Sequence, residues 1–128
     1  MGIAGAVSIN IGGEDRLLKF THMAASKLER VLPKQNLYLT ILDGSLPFSV
    51  ETHALMFALE GGGTKGLKLD LVQKWRDKFV EENDAFTLNA KLIEALYLSG
   101  IFGRKSKFQE LMQGDAVEAE VVADEKNV

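Results

Sequence analysis

The stretch 46–63, "LPFSVETHALMFALEGGG", contains the segment that decides the fold. Pro47 and Ser49 mark the start of a helix, and Glu51 falls in its first turn, where the helix dipole favours an acidic side chain. The letters "ALMFAL" at 54–59 are apolar around the whole circumference of a helix. Because such a helix must be covered on most sides, we expect it to lie at the centre of a helical domain.

The sequence before this helix predicts two more. In "FTHMAASKLERVLP" (20–33) apolar residues recur every four positions, which is typical of an amphipathic helix, with Thr21 as its N-cap and Pro33 ending it. The next stretch, "KQNLYLTILDG" (34–44), fits either a helix or a strand. Its helical neighbours favour a short helix that ends at Gly44.

Two amphipathic helices are predicted after the central one. In "LKLDLVQKWRDKFVEEN" (67–83) an apolar stripe is expected to face the core, with use as an interface left open; its members are Leu67, Leu71, Trp75 and Phe79, with Val72 alongside. In "TLNAKLIEALYLSG" (87–100) Thr87 is the expected cap. The expected inner side of this helix consists of Leu88, Leu92, Ala95, Leu96 and Ser99.

The N-terminal residues alternate in a way that predicts a β-hairpin. Val7, Ile9 and Ile11 fall on one side of a strand, Gly12, Gly13 and two acidic residues turn the chain, and an apolar run at 17–20 resumes it. An isolated hairpin is marginally stable in water, so this one must pack on the helices. The predicted fold is therefore mainly α: a small single-domain bundle of about five helices with a short N-terminal β-hairpin.

The end of the chain differs from the rest in charge. Five acidic residues and one lysine give residues 114–128 a charge of −4, which leaves +1 for residues 1–113 out of the total of −3. We therefore expect a helical domain with its hairpin at 1–113 and an acidic, disordered tail at 114–128.

The composition argues against several classes of protein. A nearly neutral body offers no basic face for DNA or RNA, and no apolar run approaches the roughly 18 residues of a membrane helix. The first ten residues do not resemble a secretion signal. The absence of cysteine excludes disulfides and thiolate metal sites. We expect a soluble intracellular protein that binds neither nucleic acid nor membrane.

The glycine-rich segment "EGGGTKG" (60–66) has the composition of a phosphate-binding loop but not its order. Such a loop needs Gly-Lys followed by Ser or Thr, between a strand and a helix. Here Lys65 follows Thr64, and a helix precedes the segment. A flexible connection between helices is the better interpretation, with Gly61 or Gly62 in the left-handed cap conformation.

The remaining polar residues suggest no chemistry. His22 and His53 fall on different helices without metal-ligand spacing, no Gly-x-Ser-x-Gly motif is present, and the pair Glu81–Glu82 suits a solvated helix face. We therefore predict no catalytic residues, no cofactor and no metal. The basic cluster Arg104, Lys105 and Lys107 is expected to be a solvated turn.

A last apolar group follows the final strong helix. It consists of Phe108, Leu111 and Met112. Its peripheral position makes it the candidate partner-binding surface, although packing as a satellite of the core is the more ordinary interpretation.

The order of these motifs resembles a known family. The sequence "INIGGEDRLLKFTHMAASKLERVL" has the form of a hairpin with a Gly-rich turn, then Arg-x-x-Lys-Phe, then a helix that carries Leu-Glu. The central segment follows, and after it come "LKLDLVQKW" and "LIEALYLSGIFGRK". Over roughly residues 9–105 this resembles the tail assembly chaperones of long-tailed bacteriophages and gene transfer agents. The resemblance implies a non-catalytic protein of the host cytoplasm, absent from the mature virion.

The family also implies partners. Its members bind and solubilise the tape-measure protein, help the tail tube protein assemble around it, and tend to self-associate; many have a longer frameshifted form. Two other classes stay open. One is a structural tail-completion or connector subunit retained in the virion, and the other is a small helical DNA-binding regulator, which the nearly neutral body disfavours.

Overall fold

A computed structural model describes residues 5–33 and 35–102 of the 128-residue chain. The described part contains a two-stranded antiparallel sheet and five α-helices. In chain order the elements are β1 (Val7–Ile11), β2 (Glu14–Leu18), α1 (His22–Val31), α2 (Leu37–Asp43), a short 3₁₀ helix (Phe48–Val50), α3 (Glu51–Gly61), α4 (Leu69–Glu82) and α5 (Ala85–Leu98). The predicted fold class, a mainly helical bundle with an N-terminal hairpin, is confirmed.

Helix α3 lies at the centre, as its all-round apolar sequence predicted. Seven of its eleven residues are buried, and it contacts α1, α4, α5, β2 and the 3₁₀ helix. Three of its core side chains, Leu55, Ala58 and Leu59, are completely buried. Burying a leucine side chain contributes about 2 kcal/mol, so the central helix supplies a large part of the apolar stabilisation.

The helix boundaries follow local capping. The Thr21 hydroxyl accepts a hydrogen bond from the Ala24 amide (3.1 Å), which confirms the predicted start of α1. Gly44 ends α2 with a φ of 78°, the left-handed conformation that glycine adopts at little cost. The predicted cap of α5 was wrong: α5 begins at Ala85, and the Asp84 carboxylate accepts from the amide of Thr87 (2.6 Å).

The hairpin turns through two glycines alone. Gly12 and Gly13 have φ values of 65° and 87°, and Ile11 pairs with Glu14 directly after them. This is the geometry of a tight two-residue hairpin loop. The two acidic residues that were expected in the turn, Glu14 and Asp15, instead open β2.

The glycines after α3 serve close packing. Gly61 is helical and Gly62 has a φ of −85°, so the predicted left-handed cap at either position was wrong. A Cβ atom on Gly61 would overlap the carbonyl oxygen of Lys19, and one on Gly62 would overlap that of Leu17. The hairpin can approach the central helix only because both side chains are missing.

The predicted stripe at 67–79 is confirmed except at one position, and Leu67, which precedes α4, packs against the core. Leu71 is 38% exposed, so the expectation that it belongs to the core was wrong, whereas Val72 and Phe79 are buried and Trp75 is half-buried against the core. Trp75 fills the space over Gly12, where an added Cβ would stand 2.6 Å from the indole ring. Trp75 therefore packs on the turn of the hairpin.

Candidate functional site

The residues proposed from the sequence as partner contacts cannot be placed. Phe108, Leu111 and Met112 lie outside the described residues, as does the basic cluster at 104–107. The acidic segment 114–128 lies outside them too. A site must therefore be sought on the described surface.

The two groups of polar residues weighed in the sequence do not form a site. Residues 60–66 are the end of α3 and the connection to α4, and their first glycines pack on backbone carbonyl oxygens. His22 is exposed on α1, while His53 on α3 is half-buried near Phe57, with ring centroids 6.1 Å apart. Within 5–33 and 35–102, no three His, Asp or Glu residues come together as metal ligands.

The surface that does stand out is a groove beside the start of the central helix. It lies between the 3₁₀ helix and the first turns of α5 and has a volume of about 330 Å³. Phe48 and Phe86 line it and are 60% and 83% exposed. We call it the Phe48–Phe86 groove. Large aromatic side chains this exposed around a concavity are typical of interaction surfaces.

A side-chain clamp builds the floor of the groove. The Asn89 side chain of α5 donates to the carbonyl oxygen of Leu46 (2.9 Å) and accepts from the Leu46 amide (3.0 Å). It pairs with this backbone as a neighbouring strand would, and so fixes the loop between α2 and the 3₁₀ helix against α5. The same Asn89 nitrogen donates to Glu51 Oε2 (2.8 Å).

Glu51 is the most unusual residue of the groove. It lines the groove, yet it is only 1% exposed, and its Oε1 has no hydrogen-bond partner. Among the described residues no lysine, arginine or histidine forms an ion pair with it. Glu51 is the first residue of α3, where the helix dipole favours a negative charge but does not replace a direct partner.

Phe48 is held from one side by α4. The Arg76 guanidinium lies over its ring, 4.5 Å from the centroid, and Arg76 Nη1 donates to the Thr52 hydroxyl (3.4 Å). A cation over an aromatic face is attracted by the ring's electron density. The contact orients Phe48 although most of its surface faces solvent.

A second groove adjoins the first. It lies between α2 and the loop that follows, has a volume of about 390 Å³, and is bordered by the 46% exposed Leu39. Both grooves include Ser45 and Leu46 in their linings. The two grooves therefore meet at the loop between α2 and the 3₁₀ helix.

The Asp84 carboxylate caps the start of α5. The backbone amide of Thr87, then the Thr87 hydroxyl, holds the pKa of the Asp84 carboxyl below its usual value. Asp84 is exposed, and its cap fixes the turn that carries Phe86. The ionised carboxylate is the form that accepts these hydrogen bonds.

Sequence reasoning missed most of this site. Glu51 was interpreted as a first-turn acid, and nothing in the local pattern indicates that Asn89 reaches it from α5. One signal was available: Phe86 falls outside the spacing of Leu88, Leu92 and Ala95 that defines the inner side of α5. A large aromatic residue off the buried face indicates a surface with another use.

Comparisons with protein-family models, with curated proteins and with solved structures find no match to this chain. In the described part of the chain, no helix combines the length and apolar character needed to cross a bilayer.

Proposed function

We propose that this protein is a tail assembly chaperone that binds and solubilises the phage tape-measure protein and promotes assembly of the tail tube around it. It acts by binding alone, in the host cytoplasm, and leaves before the virion is complete. The resemblance of motifs over roughly 9–105 supplies the identity of the partner. The observation that supports binding is the exposed pair Phe48 and Phe86 around a concave surface.

The grooves suit a helical partner. Amphipathic helices bind by laying an apolar face into an apolar groove, with anchors about one turn apart. The two adjoining grooves offer Leu39, Phe48 and Phe86 as such contacts. A long helical protein that aggregates by itself would gain solubility when this face covers its apolar stripe.

Co-expression tests the proposal. The chain is produced with the long helical protein encoded nearest downstream, and the soluble fraction is analysed by pull-down and by sizing with light scattering. We expect co-elution of a partner that precipitates when it is produced alone. A clean monomer that leaves the partner insoluble contradicts the proposal and favours a structural tail subunit or a regulator.

A matched pair of variants links this result to the grooves. The double substitution Phe48→Ser and Phe86→Ser removes the exposed rings and should abolish co-elution. Met23→Ser removes another exposed apolar side chain, 68% accessible on α1 and outside both grooves. It should leave co-elution unchanged. An equal loss in both variants would show that removing any exposed apolar side chain weakens co-elution, whether or not it lies in the grooves.

A further inference from the structure

We propose that the Phe48–Phe86 groove accepts one arginine or lysine side chain of the partner, presented by an otherwise apolar helical segment, and that Glu51 is its counter-ion. The inference rests on the proposed function for the identity of the partner only. The chemistry of the site comes from Glu51 and its surroundings.

The first step is the unpaired carboxylate oxygen. Glu51 Oε2 accepts a hydrogen bond from Asn89 (2.8 Å), while Oε1 is buried without a partner. An ionised carboxylate can only accept hydrogen bonds, so what it lacks is a donor. Buried charges in proteins are normally paired, and an unpaired one reduces stability.

The second step is the place of this oxygen in the fold. Glu51 lines the groove at the junction of the 3₁₀ helix and α3, and the two exposed phenylalanines line the same groove. The alkyl stem of a lysine or arginine packs well on aromatic rings while its charged end reaches a polar group. The groove therefore offers both halves of a cationic side chain their matching surface.

Arg76, the cation that contacts Phe48, does not supply the missing donor. Arg76 lies over the Phe48 ring and donates to Thr52, and its Nε lies 3.7 Å from Asp77 Oδ1. Its Nε makes no hydrogen bond, and its ion pair in the described part of the chain is with Asp77 and not with Glu51. Glu51 is therefore left without a cation from the described residues.

A defined peptide probe separates this inference from the proposed function. The probe is an amphipathic helical peptide of leucine, alanine and glutamine with one central arginine, and its control carries citrulline, which has the same shape without the charge. Affinities for the full-length protein are measured by calorimetry. We expect wild type to bind the arginine peptide at least about tenfold more tightly than the citrulline peptide, because the charge pair is removed from water.

Two variants complete the test. Glu51→Gln keeps the shape and should bind both peptides within about twofold of each other, with a melting temperature no lower than that of wild type. Phe86→Ser should weaken both peptides by a similar factor and keep the preference for arginine, because it removes only apolar contact.

The outcomes are distinct. Equal binding of the two peptides by wild type overturns the inference, even if the tape-measure protein is captured. Preference for arginine that Glu51→Gln abolishes supports it, even if capture fails and the proposed function is wrong. A wild-type dimer that dissociates in Glu51→Gln would assign the groove to a second copy of this chain, which also overturns the proposal.

Discussion

The hairpin interface and the Phe48–Phe86 groove use the same kinds of residue with opposite results. At the hairpin interface, the Arg16 guanidinium lies 4.5 Å from the centroid of Trp75, and the indole is covered by the Gly12 turn. In the groove, Arg76 lies over Phe48 at the same distance, yet the ring is 60% exposed. An arginine stacked on an aromatic ring closes a surface only where the backbone can also approach.

The polar groups of the two regions differ in the same way. At the hairpin interface the Lys19 amide donates to the Ala58 carbonyl (3.0 Å), which joins the sheet directly to the central helix. In the groove, Oε1 of Glu51 is left without a donor. Among the described residues two buried side-chain atoms lack a hydrogen-bond partner, Glu51 Oε1 and Arg76 Nε; Glu51 lines the groove and Arg76 lies over Phe48.

The largest expected effect breaks the hairpin interface. Gly62→Ala should lower the free energy of unfolding by about 3 kcal/mol, because the new methyl group meets the rigid Leu17 carbonyl and the hairpin must move. The backbone itself accepts alanine, since φ is −85°. Chemical denaturation with urea measures the loss.

The control for this substitution is Gly44→Ala. Gly44 has a φ of 78° and open space around its Cα, so alanine there meets only the left-handed backbone penalty of about 1 kcal/mol. Equal losses in the two variants would mean that close packing at Gly62 is not what the hairpin requires.

A smaller effect is expected when the aromatic residues of the two regions are replaced by alanine. Trp75→Ala should lower the free energy of unfolding by about 2 kcal/mol, because a half-buried ring leaves a gap beneath the hairpin turn. Phe86→Ala should change it by less than about 0.5 kcal/mol, since that ring is 83% exposed. Denaturation of both variants measures the difference.

Trp75→Ala and Phe86→Ala should affect partner capture in the reverse order of their effects on stability. We expect the tape-measure protein to co-elute with Trp75→Ala under conditions where that variant is folded, and to be lost with Phe86→Ala. A destabilised Phe86→Ala would show that this ring belongs to the core, and the distinction between the two regions would then be wrong.

Sequence patterns predicted the fold because each helix carries its own local signals. The α1 cap at Thr21 and the α2 end at Gly44 need only the residues beside them. The exposure of Leu71 could not be predicted in the same way, because Leu71 and Val72 are both apolar and the local pattern does not distinguish the exposed residue from the buried one.

The groove was less predictable than the helices for the same reason. Its clamp joins Asn89 to Leu46 and to Glu51, which lie 43 and 38 positions before Asn89 in the chain. A glutamate at a helix start is ordinary, and only its burial and its unpaired oxygen distinguish Glu51. Long-range polar contacts of this kind leave no periodic trace in the sequence.

The smallest expected effect concerns the stability that the Asp84 cap contributes to the start of α5, the element that carries Phe86. The amide of Thr87, then its hydroxyl, lowers the pKa of Asp84 in the folded protein. The stability that this charge contributes is therefore fully present above the unfolded pKa of about 3.9 and is lost as the pH falls through the lower, folded value. Asp84→Asn keeps a capping oxygen without a titrating charge.

We therefore expect wild type to be more stable than Asp84→Asn near neutral pH, and the difference to shrink as the pH falls below about 4. Subtracting the two denaturation series removes the contributions that both variants share. Exchange of the Thr87 amide should also be faster in Asp84→Asn at neutral pH, because its acceptor has lost its charge. A difference in stability that stays constant with pH would show that the cap acts through its geometry alone, and the charge of Asp84 would then contribute nothing to the turn that carries Phe86.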